Sequence, residues 1–265
     1  MWRLGERDEA LKLHLEAKSR ILAERAKHPE ESLLLGDLGV AADRLSDMRL
    51  AAGDTLGALR EAVDGAGSAE QLARQDPDDP ARRRNAMVSY AKRASLLAVS
   101  GDRAGAARDY RRSEDLALEC VRALPDHTDA KRDLSVVYSM RATFLADGGE
   151  IDSALVLYDR AMKISEALAA SDPSDVLQQA DVANGYFELG DILMKGRRNR
   201  EAEERFGEAY RRYGGLAVRD SGNVEMRARM AKASRKAALF RRLDNEPAAS
   251  CLTPPRRWPE IPSQE

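Results

Sequence analysis

Apolar positions along the chain recur in steps of three and four, the period of one face of an α-helix. In the stretch after Pro125, Leu134, Val137, Tyr138, Arg141 and Leu145 follow that step. Asp126 and Thr128 are placed to open this helix by accepting free backbone N–H groups, and Gly148-Gly149 to close it by tolerating the left-handed conformation. A second helix follows, with Ala154, Leu155, Tyr158, Ala161, Met162 and Leu168 on one side. Asp172-Pro173 ends it, because a residue before proline is pushed out of helical geometry. No run of valine, isoleucine and threonine alternates in the manner of a strand, so no sheet is expected.

The same helical pair is written several times. Pro29, Pro77, Pro125 and Pro173 stand 48 residues apart. Gly53, Gly101 and Gly149 keep that step, as do Tyr90, Tyr138 and Tyr186, and Tyr110, Tyr158 and Phe206. Ala10, Ala58, Ala106, Ala154 and Ala202 form another column, and Leu72, Cys120, Leu168 and Leu216 a further one. One hairpin cannot bury its apolar stripe alone, so neighbours must stack. The expected fold is therefore all-α, an α-solenoid of stacked helical hairpins. Its full units are 29–76, 77–124, 125–172 and 173–220, with half units at 1–28 and 221–243. The recurring aromatics and Cys120 then read as packing groups, not as a ligand cage or a nucleophile.

The columns also resemble the tetratricopeptide helix–turn–helix signature. Tyr186, Leu189, Gly190, Ala202, Phe206 and Ala209 carry it, and Tyr138, Arg141, Ala142, Ala154, Tyr158 and Ala161 repeat it. The unit is longer than the usual 34 residues of that repeat, and the extra length must extend the helices. Long units with Asp-Pro junctions are similar to arrays in large bacterial multidomain proteins, some with a serine/threonine kinase or a signalling ATPase domain upstream. The resemblance implies a superhelix that binds a protein or peptide on its concave face. The Lys/Asn set by which some tetratricopeptide domains clamp a chaperone's C-terminal carboxylate is not matched. The corresponding column holds Asp43, Ala91, Ser139 and Phe187.

The ends of the array invite two readings. Gly5 aligns with Gly53, so residues 5–28 form a second helix without its first. Residues 221–243 form a first helix without its second. Either His14, Ser234 and Arg241 are polar replacements that suit terminal caps, or the chain is a fragment of a longer protein. In the latter case Leu11, Leu15 and Leu22 are partly exposed, and self-association through the N-terminal half repeat is expected. From Asp244 onward the register is lost and five of the ten prolines crowd together, so 244–265 reads as a disordered tail. Pro254 to Pro259 is its one candidate for an extended ligand.

Composition removes several classes of function. Charged residues make up 33% and apolar ones 43%, too apolar for disorder and too charged for a membrane protein. No segment resembles a signal peptide or a membrane span, so a soluble, cytoplasmic chain is expected. His14, His28 and His127 are scattered, two cysteines make no framework, and phosphate-loop, HExxH and GxSxG motifs are absent. Neither an enzyme, a cofactor nor a metal is expected.

Binding is the expected role. The first helices should line the inner wall, with Asp47, Ser95, Thr143 and Asp191 in one column and Asp43, Lys92, Ser139 and Phe187 beside it. Arg84 and Arg132 lie about three turns earlier, and Lys195 near the end. A charge asymmetry offers an alternative. Between Lys195 and Leu243, fifteen Lys and Arg face six Asp and Glu, a balance of +9, whereas the whole chain carries −2. Arg227, Arg229, Lys232, Arg235 and Lys236 crowd the last helix, a footprint suited to an acidic partner or RNA in gene regulation. Nucleic acid is disfavoured, because Phe240 alone supplies the aromatic interleaving of single-strand binders.

Overall fold

The computed structural model describes residues 4–219 and 222–244, with side chains described over 8–219 and 222–239. The tail expected after residue 244, and the roles expected of Phe240 and Arg241, lie outside these described parts. Ten helices run in order: α1 Leu4–Lys27, α2 Ser32–Ala51, α3 Thr55–Gln75, α4 Pro80–Ser100, α5 Arg103–Ala123, α6 Thr128–Asp147, α7 Ile151–Ser171, α8 Val176–Lys195, α9 Asn199–Arg219 and α10 Val224–Asp244. No strand occurs among the described residues. The first helices open at Ser32, Pro80, Thr128, Val176 and Val224, each 48 residues after the last.

Local chemistry accounts for most of the helix ends. Asp79 and Asp175 cap α4 and α8, each side chain accepting two backbone N–H groups, and Pro80 fills the first turn of α4. The equivalent position before α6 is His127, which makes no side-chain cap bond. The expected capping of this helix by Asp126 and Thr128 is therefore corrected, since Thr128 is already the first helical residue. Hairpins close through Gly53, Gly101 and Gly149, all at positive φ. In the next hairpin the same position is Arg197, which adopts φ 58° without the freedom of glycine.

Packing follows the sequence columns. Ala58, Ala106, Ala154 and Ala202 are fully buried, as are Ala94 and Ala142. Tyr110, Tyr158 and Phe206 are buried against these small residues, and Cys120 lies buried in its leucine column. At Gly190 even a methyl group would stand 2.7 Å from the Phe206 ring. Buried hydroxyls are satisfied across each hairpin, for example Ser46 on the Ala58 carbonyl at 2.9 Å and Ser135 on Ala161 at 3.0 Å. At the N-terminal end α1 is tied to α3 by Lys18, which donates to Glu61 and Asp64 at 2.6 Å each. Leu15 and Leu22 are exposed on α1.

The stack has an inside. α6 touches both α4 and α8, so the first helices of successive hairpins approach one another directly. The second helices α3, α5, α7 and α9 consequently form the outer layer of an all-α solenoid.

Candidate functional site

Most of the charged side chains expected to greet a partner grip each other instead. Lys92 on α4 lies 2.7 Å from Asp47 and donates to the Asp43 carbonyl of α2 at 2.8 Å. Arg84 of α4 clamps both carboxylate oxygens of Asp133 of α6 through Nε and Nη2. Arg132 of α6 takes Asp181 of α8 at 2.5 Å, and Lys195 of α8 reaches back to Asp147. Lys236 of α10 donates to Asp191 at 3.0 Å. Each rung joins one first helix to the next. Asp43 is half-buried and its carboxyl is pushed up by that burial, although Lys92 opposes the shift.

Between the rungs runs an apolar stripe. Val40, Val88 and Val136 occupy one 48-residue column and remain 54%, 44% and 45% exposed. Isolated exposed valines are ordinary on a protein surface, but a column of them along successive first helices is not. Three neighbouring clefts share these side chains. The first, of 300 Å³, holds Val40 and Val88 beside Gly36, Gly39 and Gly65. The second, of 440 Å³, joins Val88 to Val136, with Leu50, Val99 and Met140 on its walls. The third, of 330 Å³, begins at Val136 and Met140 and ends at Asn184 and Glu188.

Hydroxyl-bearing side chains are numerous in that third cleft. Ser95, Ser139, Thr143 and Ser165 line it together with the hydroxyls of Tyr110 and Tyr158. Ser95 and Tyr110 share a hydrogen bond of 2.9 Å. The Tyr158 hydroxyl donates to the Gly185 carbonyl at 3.0 Å and lies 2.9 Å from Glu188 Oε2. Glu188 is exposed, although its carboxyl stands among other protein groups. Its carboxyl is pushed up, first by desolvation and further by Asp191 and Asp181, against the Tyr158 hydrogen bond and the charge of Arg229. Burial holds the Tyr158 phenol well above its usual range.

The other expected binding residues divide as follows. Ser95, Ser139 and Thr143 face the third cleft. Phe187 does not serve as open wall: it is 8% exposed, edge-on to Phe206 at 5.2 Å and covered by Lys232 at 4.7 Å. Its ring is drawn inward against α9, on which α10 also packs. The basic helix is partly consumed by the same stacking. Arg229 holds Glu225 and Asn184, Lys236 holds Asp191, and Lys232 lies on Phe187, while Arg227 and Arg235 are exposed.

Sequence reasoning missed Glu188, Asn184 and the valine column. The column was legible as Val40, Val88, Val136 and Asn184, and its neighbour as Arg44, Lys92, Met140 and Glu188, which changes sign along the array. Among the described residues no group of His, Cys, Asp and Glu could hold a metal, and no helix is long and apolar enough to cross a membrane.

No protein-family model and no curated protein matches the chain. Among solved structures it is similar to TTC0263, a thermophilic TPR protein of Thermus thermophilus. That match has 16% identity and a TM-score of 0.48 over 88% of this chain and 92% of that one. BtubC (BKLC) from P. vanneervenii matches at 16% identity and TM-score 0.47, over 97% and 99% of the two chains. MamA from Desulfovibrio magneticus matches at 17% and 0.31, over 80% and 97%. These likenesses say nothing about a partner.

Proposed function

We propose that the chain is a noncatalytic interaction scaffold that holds an extended segment of another protein along its inner wall. The observation that carries this reading is the exposed column Val40, Val88 and Val136, running through neighbouring clefts. Covering such a stripe removes apolar surface from water at about 25 cal/mol per Å². The ion-pair rungs between first helices keep the wall in one shape before the partner arrives, which reduces the ordering cost of binding. Long units with Asp-Pro junctions support a setting in which the array is the regulatory segment of a larger bacterial signalling protein, such as a serine/threonine kinase. The alternative reading, a basic-ended adaptor for nucleic acid, is weakened by the internal duties of Arg229, Lys232 and Lys236.

The test is selection of binders from a displayed library of random dodecapeptides against the full chain. Val88→Asp with Val136→Asp should weaken the selected peptides about 10-fold or more, as burying an unpaired charge requires, while circular dichroism stays unchanged. Undiminished binding to that variant, or no selected peptide at all, contradicts the proposal.

A further inference from the structure

Glu188 lines the third cleft together with Arg132, and the charge of Arg229 also acts on it. Arg132 lies on Asp181 at 2.5 Å, and Arg229 holds Glu225 and Asn184. Glu188 Oε2 lies 2.9 Å from the Tyr158 hydroxyl, and the residue lines the cleft. Around it stand hydroxyls, from Ser139, Thr143 and Ser165, with the apolar flanks of Val136 and Met140 at the entrance. A carboxylate held in partly desolvated surroundings gains most from an opposite charge that enters the same space. Desolvation raises its carboxyl even though the charge of Arg229 opposes the shift.

Resting on the inner-wall reading above, we propose that this cleft takes a lysine side chain of the bound segment, its ammonium seated on Glu188. A guanidinium fork works best when it takes both oxygens of a carboxylate in one plane, and here Tyr158 already occupies one of them. An ammonium presents three donors that suit one carboxylate oxygen and scattered hydroxyls. Its four-carbon stem lies along apolar surface while the head stays polar, which matches the entrance at Val136 and Met140. Spacing follows from the fold. Packed helices lie roughly 8–10 Å apart, and an extended chain rises about 3.3 Å per residue. The lysine therefore stands roughly three residues from an apolar side chain in the cleft between Val88 and Val136.

Selected dodecapeptides, as fluorescent probes, test this against the full chain and against Glu188→Gln, which retains an acceptor for Tyr158. Lysine should be enriched at the stated distance from an apolar residue. Replacing it with acetyl-lysine should weaken binding to the unaltered chain about 10-fold or more, the size of a desolvated charge pair. The same replacement should cost less than about two-fold on Glu188→Gln, because the charge partner is gone from both sides of the cycle. Equal loss on both proteins overturns the proposal, as do selected peptides without lysine, or arginine peptides that bind equally well. If such peptides still lose binding on Val88→Asp with Val136→Asp, the groove stands and the lysine alone falls. If no peptide is selected, both fall.

Discussion

Three single residues depart from their columns, and each departure has a physical consequence. Arg197 stands where Gly53, Gly101 and Gly149 turn the other hairpins, and its positive φ costs an L-residue about 1–2 kcal/mol. Arg197→Gly is expected to stabilise the chain by about 1 kcal/mol in urea unfolding, the gain being tempered by the greater freedom of glycine in the unfolded state. His127 stands where Asp79 and Asp175 cap their helices. His127→Asp is expected to add about 1 kcal/mol, the usual value of a side-chain cap. Glu188 has a raised carboxyl in the folded chain. The folded state thus retains this proton to higher pH than the unfolded chain does. Stability from the protonated form is full below the ordinary glutamate range and is lost as pH rises through the folded value. Glu188→Gln should accordingly raise the melting temperature at pH 7 and leave it nearly unchanged at pH 4. The reverse pattern would mean that the cleft stabilises the charge by itself. The Arg197 and His127 exceptions can be seen in the aligned units, whereas the state of Glu188 cannot. It depends first on desolvation and then on Tyr158 and Arg229, which only the fold brings beside the Asp181 and Asp191 of its own helix.

At the scale of the helix pair, small residues and rings explain why the hairpins close. The alternation of Ala94, Ala142 and Gly190 with Tyr110, Tyr158 and Phe206 was readable from spacing, because every unit must solve the same packing problem. Tyr158→Ala should cost about 3–5 kcal/mol as a large-to-small core change, and Tyr158→Phe about 1 kcal/mol for its hydrogen bonds. Gly190→Ala should cost about 1–3 kcal/mol, since its methyl enters the Phe206 ring. Chemical denaturation separates these values. What the spacing did not reveal is where charges go. Arg84 and Arg132 read as free groove residues, yet their partners Asp133 and Asp181 lie one unit on in sequence, 49 residues away. Along one helix the pairs are invisible, because neither member has its counterpart a turn away. A double-mutant cycle on Arg132 and Asp181 should give a coupling of no more than about 1 kcal/mol, as partly exposed pairs do. Their contribution is to the relative placement of neighbouring helices.

Across the whole molecule, direct contacts between first helices turn a linear repeat into a wall with an inside and an outside. The expectation that the first helices line the concave side follows from hairpin stacking, and the contacts show those helices touching one another. The polar column named for binding sits partly in the third cleft, but the apolar stripe beside it was passed over because valines at helical spacing normally read as core. Only exposure distinguishes them, and exposure belongs to the assembled array. The central claim is that the column Val40, Val88 and Val136 receives the partner. Valines also stand exposed on the outer helices, at Val63, Val156 and Val218, and provide an internal control. The most direct measurement is a methyl NMR titration of the full chain, labelled at valine, with a selected dodecapeptide. The methyl signals of Val40, Val88 and Val136 should shift along with bound fraction while those of Val63, Val156 and Val218 stay in place. Shifts confined to the outer valines, with the inner column unmoved at saturation, would contradict it.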